Sequence, residues 1–255
     1  MGAQYPDLKG RVVVVTGGSR GIGAAAGREF ARQGARVAVI GRDEAALAAV
    51  VGDIEQDGGT ALAVPADCTE EDALAAAATT ITSAWQQPAS VLLAFAGGDG
   101  RPTPTIDLEP QRWRATLADN LTATFLTVQA FLRPMVDEGR GSIVTMASTA
   151  GRLPGGASAA YGAAKAGVLM FTRQLALEVA SSQVRVNCLA PGAVRTERTA
   201  VQMSADVQRR VAAAHPLGRL GEPADVAQAA LFLASDASSW ITGQTIDISG
   251  GRVMM

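Results

Sequence analysis

The sequence predicts an α/β fold built on one doubly wound parallel sheet of about seven strands, with helices on both faces. Short β-branched runs alternate with longer alanine-rich segments along the 255 residues, an order typical of parallel sheets joined by right-handed crossovers. The short runs are continuously apolar, as strands are when helices cover both faces of a sheet. No linker, charge block or low-complexity tract divides the chain, so we expect one domain over residues 1–255.

The elements follow from the same pattern. The expected strands are Val12–Val15, Arg36–Ile40, Thr60–Val64, Val91–Phe95, Ser142–Met146, Val184–Leu189 and Thr245–Ile248. Helix-like segments lie near residues 21–33, 43–57, 70–86, 111–137, 157–181 and 223–235. Segment 195–222 has no clear strand and is rich in arginine, alanine and proline. Because insertions at the carboxyl edge of such a sheet commonly contact ligands, we expect this segment to be a substrate lid.

Composition excludes several classes of protein. Hydrophobic residues make up 48% of the chain and charged residues 18%, which excludes a disordered chain. A net charge of −2 with scattered arginines argues against nucleic-acid binding. His215 is the single histidine, and Cys68 and Cys188 form no C-x-x-C pair, so we expect no metal site. We expect His215 to be a non-catalytic surface or lid residue and both cysteines to be buried packing residues.

The expected location is cytoplasmic, without a membrane partner. Residues 1–10 carry no apolar segment of the secretory type. The longest uncharged stretch, residues 73–98, is interrupted by two glutamines and a proline and begins with alanine and threonine, which argues against a membrane span.

A glycine-rich turn follows the first strand. Residues 16–23 read T-G-G-S-R-G-I-G and lead into a helix. Such a turn lets the backbone approach a pyrophosphate, and the helix amino terminus supplies free N–H groups and a positive dipole. In an alternating α/β chain this position favours a dinucleotide site of the Rossmann type. The alternative is a tight strand-to-helix turn without a ligand.

The end of the second strand bears on the choice of cofactor. A site that prefers NAD would place an acid there to hold the ribose hydroxyls, but this chain has Gly41 followed by Arg42. Arg20 lies in the phosphate turn. Two guanidiniums near the ribose suit a 2′-phosphate, so we expect NADP(H), with NAD(H) second. The alternative for Arg42 is an ordinary solvated arginine.

Proton chemistry points to one helix start. Tyr161 and Lys165 are four residues apart, a spacing that places both on one helix face. Ser148 follows the strand 142–146. A phenol is a poor acid–base group near neutral pH, but a neighbouring ammonium favours the phenolate. We therefore expect Lys165 to lower the pKa of Tyr161 and to make it a useful proton donor or acceptor.

With these residues the chain resembles the short-chain dehydrogenase/reductase family over essentially its whole length. The motifs that carry the resemblance are TGGSRGIG, NLTATF, IVTMASTAG, YGAAK, VRVNCLAPGAVRT and the tail ITGQTIDISGG. The resemblance implies four catalytic residues. Tyr161 would pass a proton to a carbonyl oxygen, Ser148 would hydrogen-bond that oxygen, Lys165 would also bind the nicotinamide ribose, and Asn120 would hold a water in the proton relay.

The resemblance also implies the cofactor contacts. Asp67 and Cys68 would flank the adenine, Ala96 and Gly97 would line the cleft, and the segment after Pro191 would contact the nicotinamide end. With the phosphate turn, the expected set is Gly17, Ser19, Arg20, Gly21, Ile22, Gly23, Arg42, Asp67, Cys68, Ala96, Gly97, Tyr161, Lys165, Pro191, Gly192, Val194 and Thr196.

The chain departs from the family at one place. Many members read N-N-A-G after the fourth strand, whereas residues 94–97 here are A-F-A-G. The hydrogen bonds that the two asparagines would make must be replaced or lost.

Three functions fit the sequence. The first is an NADP(H)-dependent oxidoreductase acting on a ketone or secondary alcohol. The second is a 3-oxoacyl-acyl-carrier-protein reductase, which the tail and HPLGRLGEP resemble. Where such reductases present basic residues to the carrier protein, this chain has Gly139 and Ser182, although Arg133 and Arg140 lie close by in the sequence. The third is a non-enzymatic NADP(H)-binding sensor, against which the four catalytic residues argue. The resemblance further implies a homotetramer. The apolar stretch 121–132 and the apolar tail would suit its buried interfaces.

Overall fold

The computed structural model describes residues 3–98 and 100–254, with Gln202 described in its backbone only. The two ends of the expected 1–255 domain therefore lie outside the described residues. The strands are β1 (Val12–Thr16), β2 (Arg36–Gly41), β3 (Thr60–Pro65), β4 (Val91–Ala94), β5 (Gly141–Met146), β6 (Val184–Pro191) and β7 (Thr245–Ile248). They form one parallel sheet in the order β3-β2-β1-β4-β5-β6-β7, which confirms the predicted fold class.

Helices cover both faces of this sheet. They are α1 (Gly21–Arg32), α2 (Glu44–Gln56), α3 (Glu71–Trp85), α4 (Pro110–Leu117), α5 (Ala123–Asp137), α6 (Ala159–Val179), α7 (Glu197–Gln202), α8 (Ala205–Ala213) and α9 (Pro223–Ala234). Val13 and Val15 of β1 pack with α1, α2 and α9. Val12 and Val14 pack with α3, α5 and α6. Because every residue of β1 is buried on one side or the other, the strand reads as an uninterrupted apolar run.

One expected helix is two. The sequence predicted a single helix near 111–137, but α4 and α5 are separated by a π-helical turn, Ala118–Thr122. Asn120 lies in this turn and is fully buried. Inserted π turns of this kind are frequent at functional sites because they re-aim a side chain. The helix is interrupted at this point because the polar side chain of Asn120 is directed into the interior.

The carboxyl ends of the strands define where a ligand can bind. The strand order reverses between the neighbours β1 and β4, which is the crevice where open α/β sheets take their ligands. Segment 195–222 forms α7 and α8 above this edge, as expected of an insertion without a strand. Its base is closed by backbone hydrogen bonds from Arg195 N to Gly221 O (2.8 Å) and from Gly221 N to Ala193 O (3.0 Å). Among the described residues, no helix combines the length and apolar character that a membrane crossing requires.

Candidate active site

The glycine turn between β1 and α1 packs too closely for side chains. A Cβ at Gly17, where φ is +67°, would lie 2.9 Å from the carbonyl oxygen of Phe95. A Cβ at Gly23 would overlap the carbonyl oxygen of Gly17. The turn therefore needs glycine at both positions, and it presents bare backbone and the amino terminus of α1 at the sheet edge. This is the cradle that the sequence predicted for a pyrophosphate.

The hydroxyl of Thr16 holds the backbone just after β4, in the segment where this chain lacks the family's asparagines. Its hydroxyl accepts hydrogen bonds from Phe95 N (3.1 Å) and Ala96 N (3.2 Å) and donates to Leu93 O (3.4 Å). Phe95, predicted to be in the fourth strand, lies just beyond it because its N–H bonds the Thr16 hydroxyl and Leu93 O (3.0 Å) and does not continue the pairing between strands. The sequence analysis missed Thr16, since nothing local in TGGSRGIG shows that its hydroxyl reaches across to the next strand.

Asn120 holds the next part of the same loop. Its Oδ1 accepts from Gly98 N (2.9 Å), and its Nδ2 donates to Gly98 O (2.9 Å) and Thr116 O (2.9 Å). Both amide hydrogens are therefore used within the protein. These bonds show that the side chain holds the backbone around Gly98. The role of Asn120 in holding a water of a proton relay stays a prediction.

Ser148 and Tyr161 meet at the end of β5. Ser148 Oγ accepts from Ala150 N (3.1 Å) and donates to Pro191 O (3.5 Å), which fixes it beside β6. Ser158 caps α6 by accepting from Tyr161 N (3.4 Å), so that Tyr161 lies in the first turn of that helix. The Ser148 hydroxyl lies close enough to the phenol of Tyr161 to lower its pKa by hydrogen bonding. The structure therefore brings the hydroxyl and the phenol to the same end of the sheet.

Lys165 lies one turn further along α6, below the phenol. It is 2% exposed, and its Nζ donates to Met146 O (2.8 Å). The ammonium lies 5.6 Å from the centre of the Tyr161 ring. Burial lowers the pKa of Lys165 to about 8, with a smaller lowering from the charge of Arg198. A buried lysine with a reduced pKa is able to exchange its proton near neutral pH.

The electrostatics of Tyr161 differ from the expectation. Burial raises the pKa of Tyr161 above its ordinary value, although the hydrogen bond with Ser148 and the charge of Arg198 both lower it. The net shift of the Tyr161 pKa is therefore upward, and a lowering by Lys165 stays a prediction. The physical reason is that desolvation disfavours the phenolate more than the surrounding donors and charges favour it.

The adenosine end of the crevice carries the two predicted arginines, and each has a carboxylate partner. Arg42 lies 3.6 Å from Asp67 and is largely exposed. Arg20 is paired with Asp43, whose other oxygen caps α2 by accepting from Ala46 N (3.0 Å). The sequence analysis treated both guanidiniums as free, because the partners lie 23 and 25 residues away along the chain.

Two further expectations concern burial. Cys68 lies in the core beneath β3, where burial raises the pKa of its thiol to about 11. Contact between Cys68 and an adenine would therefore involve its backbone. Cys188 is also buried, so both cysteines are the packing residues that were predicted.

His215 is only 4% exposed, so it is not a surface residue; its Nδ1 is within 2.7 Å of Val211 O at the end of α8.

The remaining predicted contacts converge from β6 and segment 195–222. Thr196 caps α7 and touches the phosphate turn, since its Cγ2 lies 3.1 Å from where a Cβ of Gly21 would be. Gly97, with φ +137°, lies so close to Lys165 that a Cβ there would be 3.3 Å from Nζ. The other predicted cofactor residues lie along the same edge, at Ser19, Ile22, Ala96, Pro191, Gly192 and Val194.

The site thus combines a glycine cradle with a proton-bearing group. Chemically, it offers a phenol, a hydroxyl and an ammonium beside a crevice floored by glycine backbone. No group of three or more metal-ligating side chains occurs among residues 3–98 and 100–254. Acid–base chemistry next to a bound nucleotide is what this arrangement can support.

Comparison with known proteins gives the family. The family model described as Enoyl-(Acyl carrier protein) reductase matches residues 17–252. Cis-4-hydroxycyclohexanecarboxylate dehydrogenase of Sinomonas cyclohexanicum is 39% identical over 241 residues, which cover 94% of this chain and 96% of that protein. Cyclohexanol dehydrogenase of Rhodococcus sp. (strain TK6) is 38% identical over 260 residues, with coverage of 96% of each.

A solved structure agrees with this. The crystal structure of a 3-oxoacyl-[acyl-carrier protein] reductase from Brucella melitensis with bound NAD superposes with a TM-score of 0.90 at 33% identity, covering 98% of this chain and 94% of that one. The chain therefore belongs to the short-chain dehydrogenase/reductase family, whose members are oxidoreductases that use a nicotinamide cofactor.

Proposed function

We propose that the protein transfers a hydride between NADP(H) and a ketone or secondary alcohol. The observation that carries this proposal is the meeting of Tyr161 and Ser148 at one edge of the glycine cradle, with Lys165 beneath the phenol. A proton donor is needed wherever a hydride converts a carbonyl into an alcohol, because the developing alkoxide must be neutralised.

The residues present fit a dinucleotide. The cradle is closed to side chains at Gly17, Gly23 and Gly97, where a Cβ would meet neighbouring atoms at contact distance or closer. The phosphate turn would hold the pyrophosphate, and Lys165 would bind the nicotinamide ribose. When bound, the nicotinamide supplies or accepts the hydride.

The chain's own groups perform the proton chemistry. Tyr161 donates its proton to the carbonyl oxygen in reduction and accepts one in oxidation. Ser148 donates a hydrogen bond to the same oxygen, which positions it and stabilises the charge that develops there. Lys165 lies below the ring, and its ammonium stabilises the phenolate that forms when the proton leaves. Asn120 keeps the loop at Gly98 in place.

The preference for NADP(H) rests on the end of β2. Gly41 offers no carboxylate to a ribose, Arg42 follows it directly, and Arg20 lies in the phosphate turn next to Ser19, which a Cβ of Gly41 would contact. Both arginines would exchange their carboxylate partners for a 2′-phosphate. Exposed ion pairs contribute only about 0–1 kcal/mol, so a doubly charged phosphate competes well with Asp43 and Asp67. NAD(H) remains the alternative, since the Brucella relative was crystallised with NAD.

The substrate class follows from the relatives. Two of them are named for cyclohexane alcohols, so we propose an alicyclic ketone or secondary alcohol. Segment 195–222, closed at its base by the hydrogen bonds of Gly221, would be the lid over this substrate. We also propose a cytoplasmic homotetramer. Phe125 of α5 is 43% exposed and packs edge-to-face against Phe171 of α6, so an aromatic pair is available for a buried interface.

Reduction of a 3-oxoacyl group on an acyl carrier protein is the second candidate. The Brucella relative carries that name. Such a partner is acidic, and a docking surface for it needs unpaired cations. Here Arg133 is bound to Asp137 (2.9 Å), and Gly139 and Ser182 carry no charge. Arg140 remains nearby, and we rank this function below the small-molecule reaction.

A panel of ketones and alcohols, assayed with both nicotinamide cofactors, tests the proposal. We expect turnover of cyclohexanone-type substrates with a higher kcat/KM for NADPH. Turnover confined to acyl-carrier-protein thioesters would support the second candidate. Tight cofactor binding without turnover of any member would support the non-enzymatic sensor.

A further inference from the structure

Arg198 of α7 lies inside the candidate active site. Its Nη1 is 3.4 Å from the carbonyl oxygen of Gly97. A Cβ on Gly98 would overlap the guanidinium, and φ at Gly98 is +131°. The two glycines therefore make room for a cation directly beside the loop that Asn120 clamps. Arg198 also acts electrostatically on Tyr161 and on Lys165, which places its charge near both groups.

The charge of Arg198 is not neutralised by a neighbour that the structure describes. The other arginine of this segment, Arg195, is paired with Glu222 at 3.3 Å. No carboxylate of residues 3–98 or 100–254 lies within 4.0 Å of the Arg198 guanidinium, whereas ten other arginines in these ranges form such ion pairs.

The start of α7 separates two tasks. Thr196 and Glu197 face the phosphate turn, with Glu197 Oε2 lying 3.7 Å from where a Cβ of Gly21 would be. Arg198 instead reaches the loop after β4 at Gly97 and Gly98, and its charge acts on Tyr161. The cation thus lies near the proton donor, where a substrate would meet it.

We propose that Arg198 is a specificity residue that binds a carboxylate on the substrate. The inference rests on the proposed oxidoreductase function and narrows its substrate class to oxo acids or hydroxy acids. A guanidinium forms charge-assisted hydrogen bonds to a carboxylate, often two at once, which fixes orientation as well as affinity. Because α7 belongs to the lid segment, such a bond would also hold the lid over the bound substrate.

Matched substrates test this proposal. The kcat/KM for reduction is measured at pH 7 with 4-oxocyclohexanecarboxylate and with its carboxamide, which has nearly the same shape and no charge. Wild-type protein is expected to favour the carboxylate by about tenfold, the lower end for an exposed charge-assisted bond. Arg198→Gln should bring the ratio near one, with the loss falling on the carboxylate, and Arg198→Lys should restore part of the preference.

Arg195→Gln is the control, because it removes a cation of the same segment that is already paired; it should keep the wild-type ratio. A loss in Arg198→Gln that is equal for both substrates would overturn the proposal in favour of a structural role. A rise in the cofactor dissociation constant of Arg198→Gln, with the substrate ratio intact, would overturn it in favour of cofactor binding.

A binding measurement separates this inference from the proposed reaction. Calorimetry of the protein with NADP⁺ uses cyclohexanecarboxylate and cyclohexanecarboxamide, which cannot react. Tighter binding of the carboxylate that is lost in Arg198→Gln, in a protein that reduces no ketone, would support the inference and contradict the proposed function. Turnover of the neutral ketone, without any preference for the carboxylate in either assay, would support the proposed function and contradict the inference about Arg198.

Discussion

The carboxamide of Asn120 makes two hydrogen bonds of 2.9 Å with the backbone of Gly98: Oδ1 accepts from the Gly98 N–H, and Nδ2 donates to the Gly98 carbonyl oxygen. This clamp fixes the loop after β4, where Gly97 approaches Lys165 and Gly100 packs on the Tyr161 ring. The π-helical turn between α4 and α5 is what aims Asn120 at the loop. The buried amide of Asn120 thereby positions the loop backbone that lies beside Lys165 and Tyr161.

Asn120→Asp keeps the shape of this side chain and removes its donor. The aspartate would face the carbonyl oxygens of Gly98 and Thr116 without a hydrogen to offer. We expect the free energy of unfolding to fall by about 1–3 kcal/mol and kcat/KM to fall as well. Chemical denaturation and steady-state kinetics measure the two effects.

Asn187→Asp is the matched control for that variant. Asn187 also binds backbone at both ends, donating to Ile241 O (2.8 Å) and accepting from Gln244 N (3.0 Å), away from the loop after β4. It should lose stability and retain catalysis. If Asn120→Asp lost no more activity than Asn187→Asp, the clamp would have no part in the reaction.

Thr16→Val should loosen the turn after β4. The change keeps the volume but leaves the N–H of Ala96 without its acceptor and the N–H of Phe95 with Leu93 O alone, at a cost of about 1–3 kcal/mol in stability. Cofactor affinity should fall too, because Gly17 packs against the carbonyl oxygen of Phe95. Thr245→Val is the comparison, since the hydroxyl of Thr245 is buried without a partner among the described residues. Equal effects of the two substitutions would contradict the role of Thr16.

The stability of the protein should depend on pH through Lys165. Its pKa is about 8 when folded and about 10.4 in an unfolded chain. Between these values the unfolded state binds a proton that the folded state does not, so the free energy of unfolding rises with pH. Relative to Lys165→Met, wild-type stability should rise by about 1–2 kcal/mol between about pH 8 and pH 9.5.

Lys9→Met provides the control for this experiment. Lys9 is the only other lysine and is exposed. Its difference from the wild type should stay constant over the same pH range. A constant difference for Lys165→Met as well would show that the folded protein does not lower the pKa of this lysine.

Cofactor preference should respond to the end of β2. A Cβ at Gly41 would lie 3.5 Å from Ser19 Oγ and 3.6 Å from Leu47 Cδ2, which is ordinary contact, so an aspartate fits there. Gly41→Asp combined with Arg42→Ala adds repulsion of a 2′-phosphate and removes attraction. The ratio of kcat/KM for NADPH to that for NADH should fall by about tenfold or more, on the basis of one charge-assisted bond. A wild-type protein that already uses NADH as well as NADPH would contradict the proposed preference.

Local patterns carried much of the fold and the site. Seven apolar runs marked the seven strands, and the i, i+4 spacing of Tyr161 and Lys165 placed both on one face of α6. The glycines at 17 and 23 were predictable because only a residue without a Cβ permits such close packing. Each of these signals lies within a few residues of sequence.

Long-range contacts account for what the sequence analysis missed. Thr16 meets Ala96 80 residues further on, and Arg198 meets Gly97 across 101 residues. The raised pKa of Tyr161 reflects desolvation by the whole surrounding structure and not its neighbour four residues away. The π turn at Asn120 is likewise set by the position of Gly98, which no helical periodicity indicates.

Tyr161→Phe tests the central claim most directly, because it removes the proton and leaves the ring. In a single-turnover experiment with saturating NADPH and a ketone, hydride transfer should slow by about 10²–10⁴-fold, while the dissociation constant for NADPH stays close to that of the wild type. Tyr5→Phe, at the only other tyrosine, should transfer hydride at the wild-type rate. A Tyr161→Phe protein that oxidises NADPH as fast as the Tyr5→Phe protein would contradict the assignment of Tyr161 as the proton donor.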